Sequence, residues 1–223
     1  MKSLIIGNGQ IGSAIHEVLG GDVQDKEVVY CGKYDILHIC FPYSREFIDE
    51  VRKYKNINDP EYIVIHSTVP IGTSSIVGAF HSPMRGVHPN LAKSLRIFVK
   101  YLAPHSNVLK TYFEIHGIKI KEVDKPETTE FTKIYGTTQY GVNILLEKWA
   151  YKFCKENGLD YDIAYIDANE TYKEGYEKLG MGNVARPILK HIDGKIGGHC
   201  VVQNCDLLDS PFTELIKKMN DSF

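Results

Sequence analysis

The sequence has no block of lysine and arginine residues, no leader of charged and then apolar residues, and no long apolar run. Its 26 basic and 28 acidic residues give a formal net charge of −2, which argues against a nucleic-acid-binding surface. The apolar run at the N-terminus is far shorter than the roughly 20 residues that a transmembrane helix needs. We therefore expect a cytoplasmic protein that binds neither nucleic acid nor a membrane.

Cysteine is sparse, odd in number and scattered, and no Cys-x-x-Cys pair occurs. This distribution is typical of reduced thiols in a cytosolic protein rather than of a disulfide framework. A metal site built from His191, His199, Cys200 and Cys205 would fit no familiar zinc spacing, so we predict none. The five cysteines are Cys31, Cys40, Cys154, Cys200 and Cys205.

Short apolar runs alternate with helical patterns through the first half of the 223 residues. Strands alternating with helices predict a parallel sheet covered on both faces, hence an α/β fold with a Rossmann-like domain at residues 1–125. The expected strands are 2–6, 22–25, 34–41, 62–66, 97–102 and 118–123, and the expected helices are 11–19, 45–54, 73–77 and 107–116.

The pattern changes after Pro126. From Glu127 to Glu156 there is no proline, and only Gly136 and Gly141 interrupt the helical periodicity. A helix of about 30 residues would extend about 45 Å. The remainder is helical and loop-rich, so we predict a smaller, mainly helical domain at residues 126–223.

A glycine-rich segment, Gly7-Asn8-Gly9-Gln10-Ile11-Gly12, joins the first strand to the first helix. In a dinucleotide site Gly7 permits the tight turn, Gly9 lets the backbone approach a pyrophosphate, and Gly12 lets the helix pack on the strand. Gln10 and Ile11 open the helix, whose N-terminal N–H groups would bind the phosphates. A glycine turn without a ligand is the alternative.

Asp25 follows the second expected strand, about where an acidic residue accepts hydrogen bonds from the adenosine ribose. This position favours NAD as the cofactor. Because Lys26 stands beside it and the segment that follows is short, NADP stays open.

Further segments follow the glycine loop in a definite order. They are His38-Ile39-Cys40-Phe41-Pro42, Ser67-Thr68-Val69-Pro70-Ile71-Gly72-Thr73, Ser82-Pro83-Met84-Arg85, Glu130-Phe131-Thr132-Lys133 and Ile196-Gly197-Gly198-His199-Cys200. In that order they resemble the UDP-glucose/GDP-mannose dehydrogenase family, especially its UDP-N-acetylmannosamine dehydrogenase branch. The family's third domain, which binds the nucleotide sugar, has no counterpart in this sequence.

The resemblance implies a covalent oxidation. In the family, the cysteine of the G-G-x-C motif attacks an aldehyde, hydride transfer to NAD gives a thioester, and water releases a carboxylate. It implies Cys200 as the nucleophile, Lys133 as the cation that stabilises the substrate oxyanion, and Thr68 as a supporting hydroxyl. It also implies a cofactor contact at Pro42 and a homodimer formed through the long helix.

Several family residues are replaced. Met84 stands where the family has a glutamate, Thr137 where it has an asparagine, Asn204 where it has an aspartate, and Val202 where proline is usual. The loss of two carboxylates should impair thioester hydrolysis most, because water must be activated there.

Histidines near the matching segments offer replacements for these carboxylates, since imidazole titrates near neutral pH. His81 and His88 flank the proline–methionine turn and are the better candidates, while His66 and His199 are further ones. Packing or surface roles are the alternative for each.

We therefore expect an NAD-dependent dehydrogenase that oxidises an alcohol or aldehyde of a small polar substrate, a sugar derivative being one option. One alternative is a two-electron dehydrogenase or reductase of the β-hydroxyacid type, in which Lys133 works and Cys200 is incidental. The other is a non-catalytic NAD-binding protein with a regulatory or assembly role.

Overall fold

The computed structural model describes residues 1–25, 31–197 and 200–223. Lys26, Gly198 and His199, which the sequence analysis singled out, therefore lie outside the described residues. The chain divides into two compact units, Met1–Ile134 and Tyr135–Phe223. The predicted boundary at residues 125 and 126 marks the beginning of the long helix α6, and as a domain boundary it stays a prediction.

A five-stranded parallel sheet forms the centre of the first unit, in the order β2-β1-β3-β4-β5. The middle strands are buried along their whole length, as expected for a parallel sheet covered on both faces. The predicted α/β class with a Rossmann-like sheet is confirmed. The strands are β1 Ser3–Ile6, β2 Asp22–Gln24, β3 Ile36–Ile39, β4 Tyr62–Ile65 and β5 Phe80–His81, followed by a separate parallel pair, β6 Lys100–Leu102 and β7 Ile120–Glu122.

Two helical layers cover this sheet. Helices α1, α4 and α5 pack against the face that carries Ile5, and helices α2 and α3 against the face that carries Ile6. The predicted strand from Ile97 is wrong at its start, because Ile97 ends α4 and the strand begins at Lys100. The helices are α1 Gln10–Leu19, α2 Phe47–Asn58, α3 Thr73–Val77, α4 Leu91–Ile97 and α5 Asn107–Glu114.

The second unit is mainly helical, as predicted. Its small core contains Leu145, Ile196, Val201, Cys205 and Ile216. Across the described residues, none of the helices is both long and apolar enough to span a membrane. The elements are α6 Pro126–Asn157, which begins in the first unit, a π-helical segment Asp162–Asp167, α7 Ala168–Lys178, short 3₁₀ turns at Gly182–Val184 and Gln203–Leu207, and α8 Pro211–Asn220.

Candidate functional site

The glycine loop lies at the carboxyl end of β1, and two of its glycines are required by space. Gly7 has a φ of 100°, and a Cβ on it would lie 2.8 Å from the backbone nitrogen of Phe41. A Cβ on Gly12 would lie 1.8 Å from the carbonyl oxygen of Gly7. Helix α1 can therefore pack this closely on the turn only with glycine at these positions.

At position 9, by contrast, neither the backbone conformation nor the neighbouring atoms require a glycine. A Cβ on Gly9 would meet no atom of the described residues within 4 Å. Gly9 is the N-cap of α1 and has no side chain with which to cap it, and Gln10 after it is exposed while Ile11 is half-buried. There is thus room beside Gly9 at the positive end of this ten-residue helix, where N–H groups at a helix N-terminus can bind an anion.

Asp25 lies beside this loop. The backbone N–H of Gly7 donates to the carbonyl oxygen of Gln24 over 2.9 Å, which ties the end of β2 to the turn. Asp25 is the next residue and is exposed. This is the placement expected for a carboxylate that accepts hydrogen bonds from a ribose.

The loops after β3 and β4 lie at the same edge of the sheet. The hydroxyl of Ser67 donates to the carbonyl oxygen of Phe41 over 2.6 Å, which joins the two loops. Pro42 follows Phe41 and is exposed, and Thr68 follows Ser67 and is half-buried. The glycine loop, Pro42 and Thr68 therefore share the carboxyl edge of the sheet, where open α/β folds bind their ligands.

The first turns of α6 are attached to the loop that carries Thr68. The carboxylate of Glu130, which is fully buried, accepts hydrogen bonds from the backbone N–H groups of Gly72 (2.6 Å) and Ser74 (2.8 Å). Lys133, which is half-buried, lies one helical turn after Glu130 and contributes to the electrostatic field at His81. Lys133 and Thr68 are thus carried by two segments that are hydrogen-bonded to each other.

His66 and His81 are fully buried, which favours the packing alternative for both. Burial, together with the charges of Lys100 and Lys133, lowers the pKa of His81 to about 3, and burial holds the pKa of His66 well below its ordinary value. Neither ring can therefore exchange protons with a substrate near neutral pH. His88 is exposed.

His66 belongs to a buried chain of hydrogen bonds. Its Nδ1 lies 2.8 Å from the carbonyl oxygen of Ser82, its Nε2 lies 2.9 Å from Nδ1 of His38, and Nε2 of His38 lies 3.3 Å from the Tyr112 hydroxyl. Because a carbonyl oxygen only accepts, we assign a proton to Nδ1 of His66. It follows that His38 donates from Nδ1 and accepts the Tyr112 proton at Nε2.

Lys100 is a buried charge that the sequence analysis missed. Its Nζ donates to the carbonyl oxygens of Ser82 (2.6 Å) and Pro83 (3.1 Å), and burial lowers its pKa to about 7. Burial likewise raises the pKa of Cys40 to about 12, so that thiol is inert. A lysine within an otherwise apolar run, Phe98 to Leu102, was the available signal.

The segment held by Lys100 leads to Met84. Met84 is 2% exposed and packs in the same core as Ile5 and Ile15. The position at which the resembled family carries a glutamate is therefore closed to solvent in this chain, and it offers no acid or base to a substrate.

Cys200, in the second unit, is exposed. The segments on both sides of it are anchored, since Ile196 and Val201 are buried in the small core and the N–H of Ile196 donates to Oδ1 of Asn220 over 2.6 Å. Cys200 is thus an exposed residue directly before the buried Val201, and such exposure suits a nucleophile. No cluster of three or more potential metal ligands occurs within the described ranges.

Glu147 and Lys148 are adjacent buried charges on α6 that anchor residues 191–194, which precede Cys200 in the sequence. The sequence analysis did not identify either of them. Glu147 accepts from Nδ1 of His191 over 2.8 Å, and Lys148 donates to the carbonyl oxygens of Ile192 and of Gly194, the latter over 2.6 Å. Because α6 carries many polar residues, its hydrophobic periodicity does not show that these two charged side chains are buried.

The Asn204 amide donates to the Thr137 hydroxyl over 3.3 Å. Asn204 lies four residues after Cys200 in the sequence, and both members of this pair are neutral. It occupies two of the positions at which the resembled family carries other residues.

Comparisons with known proteins identify solved structures with the same fold. No family model and no curated protein matches the sequence. Among solved structures, a UDP-D-ManNAc dehydrogenase from Pyrococcus horikoshii is similar over 99% of this chain and 68% of its own, with a TM-score of 0.72 and 16% identity. A 3-hydroxyisobutyrate dehydrogenase from Mycobacterium tuberculosis, solved with L-serine, is similar over 100% of this chain and 94% of its own, with a TM-score of 0.69 and 13% identity.

A third similar structure is Psf3 in complex with NADP⁺ and 2-OPP. The similar region covers 93% of the Psf3 chain, with a TM-score of 0.62 and 14% identity. At such identities the likeness concerns the fold. The chain therefore has the fold of these three proteins, two of which are dehydrogenases, as the order of its motifs predicted.

Proposed function

We propose that this chain is an NAD-dependent dehydrogenase that oxidises an alcohol or aldehyde of a small polar substrate such as a sugar derivative. The observation that carries the proposal is the glycine loop. Gly7 and Gly12 admit no side chain, whereas Gly9 opens onto free space at the N-terminus of α1. This is the arrangement that a dinucleotide pyrophosphate requires.

The residues at the sheet edge would have separate tasks. The first N–H groups of α1 bind the phosphates, and Asp25 accepts hydrogen bonds from the ribose. NAD held by these residues would supply the hydride acceptor for the oxidation. Thr68 orients the reacting groups from the loop after β4, and Lys133 stabilises the negative charge that develops on the substrate oxygen.

In the covalent form of the reaction, the thiolate of Cys200 forms a bond to the aldehyde carbon. With NAD as the hydride acceptor, the carbon bonded to Cys200 would be oxidised to the thioester level, and hydrolysis by water would return the acid and the free thiol. The exposure of Cys200 supports the first step. Because Thr137 and Asn204 are neutral, we expect hydrolysis to be the slow step.

Product stoichiometry tests this proposal. The protein is incubated with NAD and a panel of polar alcohols and aldehydes, while NADH is followed by absorbance and the product by mass spectrometry. We expect two NADH and one acid per alcohol, and no acid from Cys200→Ala. Cys31→Ala, which alters another exposed cysteine, is the matched control. Wild-type acid production by Cys200→Ala would overturn the covalent mechanism.

The second candidate is a two-electron dehydrogenase of the β-hydroxyacid type. It is favoured by the buried Met84 and by the neutral Thr137–Asn204 pair, because these positions offer no base with which to hydrolyse a thioester. In this case one NADH and a carbonyl product are expected, Cys200→Ala keeps its activity and Lys133→Ala loses it. Cofactor binding without turnover across the panel would instead support a non-catalytic role.

We also propose that the chain works in the cytoplasm as a homodimer. Leu146, Trp149 and Phe153 on α6 are 57%, 53% and 46% exposed, and their spacing of three and four residues aligns them on one side of the helix. Covering this stripe with a second copy would remove it from water. Light scattering on Trp149→Glu should give a monomer, and an unchanged dimer would contradict this interface.

A further inference from the structure

We propose that His81 is a positioning residue: its ring ties the loop that carries Thr68 to the helical turn that carries Lys133, and so holds these two side chains in register. The inference rests on the proposed function, because it gives two of the proposed active residues a common support. It assigns no contact with substrate to His81 itself.

The geometry of the ring carries the inference. His81 ends β5 and is fully buried. Its Nε2 lies 3.3 Å from the carbonyl oxygen of Ser67, the residue before Thr68, and its Nδ1 lies 2.7 Å from Oγ1 of Thr129. Thr129 lies four residues before Lys133, on the same side of α6. One imidazole therefore bridges the two segments.

The protonation state of His81 determines which atom donates and which accepts in each of its two hydrogen bonds. Burial, with the nearby charges of Lys100 and Lys133, keeps the pKa of His81 at about 3, so the ring is neutral and carries one N–H. Because the Ser67 carbonyl only accepts, we assign this N–H to Nε2. The Thr129 hydroxyl then donates its single proton to Nδ1. The other acceptor within reach of this hydroxyl is the Pro126 carbonyl oxygen, 2.8 Å away.

A second link fixes the other end of the same loop. Glu130, the neighbour of Thr129, accepts hydrogen bonds from the backbone of Gly72 and Ser74. Residues 67–74 are thus attached at both ends to a single turn of α6. The hydroxyl of Ser67 extends the connection to Phe41, which adjoins the glycine loop.

Three variants separate the bridge from mere packing. Thr129→Val removes the hydroxyl at nearly constant shape, and His81→Leu removes both hydrogen bonds. His81→Gln keeps an amide that can donate to Ser67. The matched control is Thr128→Val, which makes the same change at the exposed neighbour of Thr129. Thermal unfolding identifies any variant that fails to fold.

The first readout needs no turnover. Each folded variant is treated briefly with an acetylating reagent, and modification of Lys133 is quantified by peptide mass spectrometry. We expect Thr129→Val and His81→Leu to increase the labelling rate of Lys133 about threefold or more, since the turn loses an anchor. His81→Gln and Thr128→Val should stay near the wild-type rate. Equal labelling in Thr129→Val and the wild type would overturn the proposal.

The second readout is kinetic. Loss of positioning should lower kcat about tenfold in Thr129→Val while the dissociation constant for NADH stays unchanged, because the glycine loop is untouched. Recovery in His81→Gln supports positioning, whereas an equal loss in His81→Gln and His81→Leu contradicts it. If the wild type itself has no turnover, the proposed function fails, and the labelling experiment still decides the role of His81.

Discussion

Thr137 and Asn204 are hydrogen-bonded to each other, with 3.3 Å between Nδ2 of the amide and Oγ1 of the hydroxyl. In the resembled family these positions carry an asparagine and an aspartate. In this chain the two positions are in contact, and neither the Thr137 hydroxyl nor the Asn204 amide can accept a proton from water. Water near this pair would be oriented but not activated.

Restoring the carboxylate should therefore change the outcome of the reaction. In Asn204→Asp the new carboxylate can accept a hydrogen bond from the Thr137 hydroxyl and act as a base for water. We expect the acyl-enzyme on Cys200, detected by intact mass spectrometry, to decay about tenfold faster. Asn183→Asp makes the same charge change at an exposed residue of the second unit and should have no effect. Equal decay in Asn204→Asp and the wild type would contradict a role for this position.

Restoring the other family carboxylate should instead damage the protein. Met84 is 2% exposed within an apolar core, so Met84→Glu places a charge where it has no solvent. We expect the free energy of unfolding to fall by about 2–4 kcal/mol in urea denaturation. Met84→Leu, which keeps the volume, should cost less than about 1.5 kcal/mol. If Met84→Glu were as stable as Met84→Leu, the site would be open to water.

The glycines of the first loop should separate folding from cofactor binding. Gly12→Ala drives a Cβ into the Gly7 carbonyl oxygen and should destabilise the protein by about 3 kcal/mol or more. A Cβ at Gly9 meets no described atom within 4 Å, so the stability of Gly9→Val should stay within about 1 kcal/mol of the wild type. Its side chain would occupy the phosphate space, and we expect NADH affinity, measured by fluorescence, to fall at least about tenfold. Undiminished NADH binding by Gly9→Val would remove the cofactor site from this loop.

Asp25 should determine the preference between the two nicotinamide cofactors. Asp25→Asn removes the charge that, in the proposed site, would pair with the ribose hydroxyls and repel a 2′-phosphate. We expect NADH affinity to fall about tenfold while NADPH affinity rises or holds. Glu17→Gln, an exposed change on α1, controls for net charge. A preference that is the same in Asp25→Asn and the wild type would show that other residues select the cofactor.

The elements with long or regular patterns could be predicted from the sequence. The helix expected at 127–156 is observed as Pro126–Asn157, because an uninterrupted periodicity without proline leaves little freedom. β5 was missed because it has two residues, and α4 because its seven residues provide fewer than two full turns of pattern. The type of a long helix or strand follows from its local sequence pattern, whereas the formation of a short one depends on its contacts with the sheet.

The candidate site likewise combines local features, which the sequence predicts, with non-local ones, which it does not. The glycine loop is local, and its pattern between a strand and a helix predicted the tight turn at Gly7 and the close packing at Gly12. The link through His81 is not local, since Ser67 lies 14 residues away and Thr129 lies 48 away. Lys100 was missed for a different reason: a lysine in a strand ordinarily faces solvent, and only the carbonyl oxygens of Ser82 and Pro83 make its burial possible.

The buried histidines should make the protein sensitive to acid. Burial lowers the pKa of His38 and His81 to about 3 from an ordinary value of 6.5, and that of His66 is also lowered. Between pH 6.5 and 3 the unfolded chain therefore binds more protons than the folded one, so the free energy of unfolding must fall as the pH falls. Each such histidine contributes a slope of up to about 1.4 kcal/mol per pH unit.

Replacing one of these rings tests that account. His38→Gln retains hydrogen-bonding capacity toward His66 and Tyr112 but cannot be protonated, so the decline measured by urea denaturation between pH 6 and 4 should become shallower by about one proton. The exposed His16, changed to Gln, should leave the slope as it is. A slope in His38→Gln as steep as in the wild type would mean that acid sensitivity originates elsewhere, since His38 would then hold the same number of protons in both states.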